Sequence, residues 1–524
     1  MIRFRHCSLI LLLCLAGVAK GQTTWTNTIA SIVYNHCTTC HRANSIAPFP
    51  LEHYSDFVAN ATSIAHDVSS HVMPPWPPDP GYTRLAHERL LSAQQITDLV
   101  NFVNNGMPPG DTTQAPPVPV FTNGSQIGVP DLVKWTPSFT VTQNTDQFRC
   151  FVIPSGFAST QNLSAMEFIP TNRSIVHHVL VFWDTTGYCQ QLDANDPGPG
   201  YDGFGGVGSP QAQLIGAWVP GASPFVLPSA FGIPIPAHAD IVVQFHYAPG
   251  SLGQTDSSRL NLFYNNNSLA RPVYFAPVLN HAANMTDGPL FIPANQIRTF
   301  HEAYQLPNAN VSVLGVAPHM HLIGTSINSY GVTPAGDTIP FISIPDWKFH
   351  WQGAYNFRSI LKVPAGSHLY AAATYDNTSN NDENPSNPPL DVSVGEGTLN
   401  EMMIVFYQYT LYLPGDENVV LDTSALVDLS TDIPATAPDA FGLQVFPNPG
   451  LQAVIADFNL PSGGNYSLNA YDLMGRKVYS FFNGRTMEAG HYRFQYSCGG
   501  LSSGIYFMQL EGAGEKTQMR FVKQ

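Results

Sequence analysis

Three groups of residues have types and spacings suited to redox or metal chemistry. The first is Cys37-Thr38-Thr39-Cys40-His41, a CxxCH string. Its two thiols can add to haem vinyl groups while the adjoining imidazole ligates iron from the same turn. With 7 Cys and 18 His in 524 residues, composition alone supplies such a string about 0.003 times. A redox CxxC or half of a zinc site is the alternative reading; there is no second CxxC, and the surroundings read as helical. A haem c held this way needs a sixth ligand. Met73, in His71-Val72-Met73-Pro74-Pro75-Trp76, is the first choice and Met107 the second, with His66 and His71 left open. A thioether in that position would raise the haem potential.

The second and third groups lie further along, in His177-His178, Phe245-His246-Tyr247, His319-Met320-His321 and Glu401-Met402. Singly they are weak signals, because composition yields a His-His pair about 0.6 times, and an ordinary strand histidine explains each. Together they could form two unlike sites, one of three imidazoles and one of two imidazoles with a thioether. Imidazole suits copper, and adding a thioether favours Cu(I) over hard cations. On a strand, His319 and His321 share a face. His177 and His178 would point oppositely, so joint ligation requires a bulge or a strand end.

These residues need elements to position them. Between residues 24 and 106 the apolar pattern is helical. Ile29, Ile32, Val33 and His36 form one stripe, and Leu51, Tyr54, Phe57, Val58, Ala61, Ile64 and Ala65 another. A third helix opens at Ser92 and Gln95 as a capping box, presents Ile96, Leu99, Val100 and Val103, and stops at Gly106. A Pro-rich linker follows over 111–130. From Asp131 to Leu413 short alternating runs such as IVVQFHY and MIVFYQYTLYL predict an all-β region. Its length suits two antiparallel β-sandwiches, over 131–268 and 269–415. A second linker spans 416–440, and a small C-terminal β-sandwich 441–524, with Asn483-Gly484 as a hairpin signal.

The order of these pieces is informative. Residues 24–110 resemble a small c-type cytochrome domain, on CxxCH, three helices and the MPPW segment. The stretch from Asp146 to Tyr412 resembles the copper type II, ascorbate-dependent monooxygenases, the family of the peptidylglycine hydroxylating and dopamine β-monooxygenases. The matching pieces are QFRCFVIP, SIVHHVLVFWD, IVVQFHYAPG, VAPHMHLIG, WKFHWQGAYNF and LNEMMIVFYQY, in family order. The resemblance implies two jelly-roll-like sandwiches and two copper ions. One ion would sit on His177, His178 and His246 and store an electron. The other, on His319, His321 and Met402, would be the catalytic site that uses dioxygen to hydroxylate a substrate carbon. This chain departs from the peptide-hydroxylating members at Ala317, where they carry Arg, and at Ile404 and Phe406, where they carry Asn and Tyr. Apolar residues cannot anchor a peptide carboxylate, so the expected substrate is a small, neutral, partly apolar organic molecule. Electrons would come from ascorbate or another donor, with the tethered haem as a relay.

The ends of the chain suggest its compartment. Arg3, Arg5 and His6 precede an apolar run from Leu9 to Val18 and small residues near Gly21. This reads as a signal peptide over 1–21 rather than a membrane anchor. The closing text, VFPNP, YDLMGRKV, LSSGIYFMQL and MRFVKQ, resembles the C-terminal sorting domain of the type IX secretion system. That implies export through its machinery, to the medium or the outer-membrane surface of a Bacteroidota-type bacterium; a glycan- or protein-binding sandwich is the alternative. In an oxidising compartment Cys150 and Cys189 could form a disulfide, and Cys498 reads as a buried apolar residue. With 22 basic against 37 acidic side chains, the chain lacks a basic stripe for phosphates, which excludes a nucleic-acid partner. Its 31 Phe, 22 Tyr and 7 Trp argue against disorder. The expectation is an exported haem- and copper-containing monooxygenase; the alternatives are an exported electron-transfer or copper-binding protein without turnover, and a sandwich adhesin with incidental histidines.

Overall fold

The structure, a computed structural model, describes residues 23–427 and 441–523 apart from 44–46, 121–124, 221, 223, 442, 447–452, 473–475, 499, 502–503 and 514. The leader expected at 1–21 lies outside the described residues. The chain is mostly β-sheet and divides into two compact units, Met1–Leu429 and Ser430–Gln524. Among the described residues no helix is long and apolar enough to cross a membrane.

The helical part contains Trp25–Ile29, a π turn running into the α-helix Ala30–His36, then Tyr54–Ser69 and Ala93–Asn104. Ser92 Oγ accepts from the Gln95 amide at 3.2 Å and Gln95 Oε1 from the Ser92 amide at 2.8 Å, so the capping box forms at the residues whose spacing predicted it. Ile29, Val33, Phe57, Leu99 and Phe102 close a small core. The segment between the last two helices leaves that core. Pro74, Pro75, Pro77, Pro78 and Pro80 remove amide donors and forbid a helix. The chain therefore runs extended across the second β-sandwich. Leu85, 1% exposed, is buried in that sandwich's core, and Trp76 packs against it. The Asp79 amide donates to Ser343 O and the Ala86 amide to Asn356 O, both at 2.8 Å. The helical part is thus not self-contained over 24–110, because these side chains find their apolar surface elsewhere.

The first sandwich faces two five-stranded sheets. One runs in the order Tyr201–Asp202, Gln147–Pro154, Asp240–Tyr247, Val176–Asp184, Gln213–Trp218. The other runs Leu132–Trp135, Arg259–Tyr264, Gln161–Ile169, Phe231–Ile235, Arg271–Pro272. Asp240–Tyr247 is central and buried at every residue, Gln244 and His246 included, so both of its faces are covered and the exposure does not alternate along it. One helix, Tyr188–Asn195, interrupts the expected all-β text. It is short and polar, and too little of it is apolar to give a helical period.

Two four-stranded sheets form the second sandwich. Tyr274–Asn280, Ile404–Leu411, Val311–His319 and Tyr355–Val363 lie in that order in one, and Gln296–Gln305, His368–Asn377, Gly324–Val332 and Thr338–Ile344 in the other. The predicted linker from 416 starts too early. Asp416 bonds Arg271 and Ser312, and Asp422 bonds Arg358 and the His87 amide. Carboxylates held this way tie the residues up to 427 to the sandwich. Nor is the 111–130 stretch wholly unpacked, since the Gln126 amide donates to Glu167 at 2.7 Å.

The second unit is a sandwich of a three-stranded and a four-stranded sheet closed over Val454, Phe458, Leu468, Met508 and Leu510, with Cys498 fully buried among them. Asn483-Gly484 does not make a hairpin. Both residues lie within one strand, Lys477–Met487, where pairing with Gly464–Asp472 shifts register. Gly484 takes φ +62° and its amide donates to Ser467 Oγ at 2.9 Å, so the αL residue forms a bulge instead of a turn.

Candidate functional site

His177 and His178 open the strand Val176–Asp184, and His246 lies opposite on Asp240–Tyr247. The register slips between Val176 and His178. This bulge turns two sequence neighbours toward one point, the local device their joint use requires. His178 Nδ1 lies 3.1 Å from His177 Nδ1 and 3.4 Å from His246 Nδ1. The far nitrogen of His246, Nε2, is 2.7 Å from Asp146 Oδ1. With Asp146 accepting the Nε2 proton, the Nδ1 lone pair of His246 faces the cluster. Burial pushes His177 down to about 3, helped by the neighbouring imidazoles, and holds His178 well below its usual value. Neutral imidazoles with converging lone pairs are what a borderline metal ion takes.

His319 ends the strand Val311–His319, and His321 lies just beyond it, so these two converge at a strand end rather than along a strand. Met320 between them is fully buried in the core, and the rings of His319 and His321 are 5.1 Å apart. His319 Nδ1 is 2.5 Å from Gln352 Oε1, and His321 Nδ1 is 2.9 Å from Asn400 O. Both bonds leave Nε2 as the free donor atom. Burial lowers His319 to about 3 and His321 to about 4. Met402 is 7% exposed and lines the same cavity as both rings. Glu401 holds this corner together. Its carboxylate accepts from the His321 and Ile323 amides at 2.8 Å and from the Met402 amide at 3.3 Å. Burial pushes its carboxyl up to about 8 against those bonds.

The two sets face each other across the junction of the sandwiches. The His178 and His319 rings are 6.4 Å apart. Phe349 is wedged between them, stacked on His177 at 4.8 Å and edge-on to His321 at 5.9 Å. His178, His319, His321 and Met402 open on one cavity of about 490 Å3, walled by Phe168, Trp218, Phe275, Ile404 and Phe406. Trp76, Ala86, His87 and Arg89 of the extended segment also line it, and Trp76 meets Tyr355 edge-on at 5.5 Å.

The CxxCH string sits at the end of the first helix. Cys37 and Cys40 are unbridged thiols, and burial raises Cys37 to about 12. His41 Nδ1 is 3.0 Å from Phe49 O, which leaves Nε2 as the atom able to ligate. Met73 is half-buried, and Met107 packs against the helical core. The side chain of His66 is 75% exposed and pairs with Asp67, while His71 is exposed. Cys150 and Cys189 do not form the expected disulfide. They are buried free thiols beside the Tyr201 hydroxyl.

Asp146, Gln352 and Phe349 have no role legible from sequence, and Glu401 enters there only as the neighbour of Met402. Gln352 and Phe349 lie inside WKFHWQGAYNF, so that segment signalled the region without signalling the roles. Asp146 carried no local signal at all.

Comparison with known proteins agrees with part of this layout. Residues 293–420 match the C-terminal domain of the copper type II ascorbate-dependent monooxygenases, and residues 444–524 match the secretion-system C-terminal sorting domain. No curated protein matches the chain. Among solved structures, PNGase F, a glycosylasparaginase from Flavobacterium meningosepticum, is 9% identical over 53% of this chain and 96% of its own, at TM-score 0.23. The PNGF-II structure is 11% identical over 55% and 65%, also at TM-score 0.23. A Faecalibacterium prausnitzii β-glucuronidase is 10% identical over 43% of this chain and only 37% of its own, at TM-score 0.12. Likenesses this remote carry no functional inference.

Proposed function

We propose that the chain is an exported copper-dependent monooxygenase that hydroxylates a C–H bond of a small organic substrate, with one oxygen of dioxygen entering the product and the other leaving as water. The observation that carries this reading is a cluster of three imidazoles, one of which, His178, opens with His319, His321 and Met402 on a single largely apolar cavity. His177, His178 and His246 would hold one ion through Nδ1, and His319 and His321 the other through Nε2, together with the Met402 thioether. Copper bound there would supply the one-electron chemistry by which dioxygen reacts with an unactivated carbon. The family match over 293–420 supports copper and the monooxygenase class.

The chain's own residues do the rest. Asp146, Gln352 and the Asn400 carbonyl fix the tautomers of three imidazoles. The cavity wall excludes water from the reacting carbon. Phe406 stacks on Phe275 at 5.3 Å and 1°, and Asn356 and Gln408 bond each other at 2.7 Å. Ala317 and Ile404 line the same wall. Such a surface suits a neutral, partly apolar substrate.

The free thiols of Cys37 and Cys40 and the available Nε2 of His41 fit a covalently attached haem c, with Met73 as sixth ligand. The haem would pass electrons from ascorbate or another donor to copper. One contact favours a short path: Trp76, three residues beyond Met73, against Tyr355 in the cavity wall. Helical residues 24–110, two sandwiches over 131–268 and 269–415, and the sorting domain would form one exported chain, delivered by type IX machinery to the medium or the outer surface of a Bacteroidota-type cell.

The test is metal and haem stoichiometry followed by untargeted product analysis with reductant and dioxygen. Two copper per haem and substrate-dependent oxygen consumption are expected, both lost together in His319→Ala and Met402→Ala. Full metal loading with no product from any candidate would instead favour an electron-transfer protein.

A further inference from the structure

We infer that Asp146 is a positioning residue that couples the two donor sets across the sandwich junction through Thr398. The inference rests on the proposed function for its consequence in turnover, and on hydrogen bonds alone for its existence. Asp146 belongs to the first sandwich, immediately before the strand Gln147–Pro154. Its Oδ1 takes His246 Nε2 at 2.7 Å and Thr398 Oγ1 at 2.7 Å, and its Oδ2 takes the Thr398 amide at 3.2 Å. Thr398 belongs to the second sandwich, on the loop that delivers the other donor set. That loop is tight. The Asn400 amide bonds Gly397 O at 2.8 Å, Gly395 bonds Glu401 O at 3.1 Å, and Glu401 bonds Ser393 O at 3.0 Å. Two residues beyond Thr398, the Asn400 carbonyl orients His321 at 2.9 Å, and Met402 follows.

One carboxylate therefore orients a ring of the three-imidazole set and anchors the loop that orients His321 and presents Met402. Both oxygens are used. The side chains of Asp146 and His246 are 17% and 4% exposed, so water competes poorly for these bonds, and bonds to a charged acceptor are the stronger kind. Phe349 touches a ring of each set, and it contributes packing without direction. Asp146 adds direction, because a displacement of the His246 ring changes the angle at which the carboxylate meets Thr398. A change at one ion is thereby felt at the other.

Thr398→Val separates this role from folding, since it removes one hydroxyl and touches no donor to either set. In the metal-free full-length chain, Thr398→Val speeds amide exchange over residues 396–402 about tenfold, and Thr398→Ser restores the native rate. In the copper-loaded chain, both Thr398→Val and Asp146→Asn alter the copper–copper dipolar splitting in the continuous-wave electron paramagnetic resonance spectrum. They also lower product formed per dioxygen consumed, while two copper ions are still bound. Unchanged exchange over 396–402 together with an unchanged dipolar splitting in Thr398→Val would overturn the coupling. A chain that loads copper, shows the Thr398→Val effects and yields no product would remove the monooxygenase reading and leave the coupling standing.

Discussion

Leu85→Ala tests whether the helical part is fastened to the cavity by a separable strap. Leu85 is 1% exposed and sits among Val316, Phe341 and Phe357 of the second sandwich rather than with the helices. Truncating a buried leucine costs about 2.7 to 5 kcal/mol. At about 1.4 kcal/mol per decade, even the lower value weakens docking roughly a hundredfold. What remains is the edge-on packing of Trp76 on Tyr355 and scattered hydrogen bonds, among them Asp79 to Ser343 O, Thr83 to Pro340 O, Ala86 to Asn356 O and the His87 amide to Asp422, each bond contributing about 1 kcal/mol net. Residues 76–91 should therefore open in Leu85→Ala while Phe57 and Phe102 hold the helices together. Hydrogen exchange read by peptide mass should rise about a hundredfold over 76–91 and little elsewhere. In the loaded protein, haem reoxidation by copper should slow, while turnover driven directly by ascorbate continues. A uniform loss of protection across the helices and second sandwich, with no selective loosening of 76–91, would refute the strap.

Two further outcomes follow from buried groups. Glu302 is fully buried and neither carboxylate oxygen has a hydrogen-bond partner, so burial lifts its pKa from 4.5 to about 8. The folded chain keeps a proton that the unfolded chain loses, so this contribution is complete below pH 4.5 and erodes by about 1.4 kcal/mol per pH unit until about pH 8. Glu302→Gln should thus be about 3 kcal/mol more stable than the native chain at pH 7 and nearly equal to it at pH 4.5; denaturation curves that stay parallel at both pH values would refute this. Cys150 and Cys189 should resist thiol reagents until the chain unfolds, because both are fully buried and burial pushes Cys150 up to about 12. A mass gain of two hydrogens on reduction would show a disulfide instead.

What could be read from sequence was what is decided locally. The Ser92 and Gln95 cap depends on residues three apart, and the buried run IVVQFHY on its own strand. The bulge at His177 and His178 followed from a local contradiction, since adjacent strand residues cannot otherwise reach one ion. Local chemistry misled where another partner was available. Asn483-Gly484 has the residues of a hairpin turn, yet Ser467 offers the Gly484 amide a bond inside a continuous pairing. The strap has no local signature for a related reason: its apolar side chains look like loop residues until a distant sandwich supplies their surface.

The orienting residues are of a different kind. Asp146 and Thr398 are 252 positions apart, and Phe349 meets His177 only because the two sandwiches dock. A carboxylate before a strand and a threonine in a loop are individually ordinary, so no pattern distinguishes them until docking brings them together. Docking itself is driven by residues far from the chemistry. Leu314 and Ile360 of the second sandwich lie in the core of the first, with Val419 and Leu421 packed alongside. Apolar burial of this sort is tolerant of detail, whereas ring orientation is not. Coarse packing can bring the sandwiches face to face, and it then falls to a few directional bonds at Asp146, Gln352 and Glu401 to set the angles on which any chemistry between the donor sets depends.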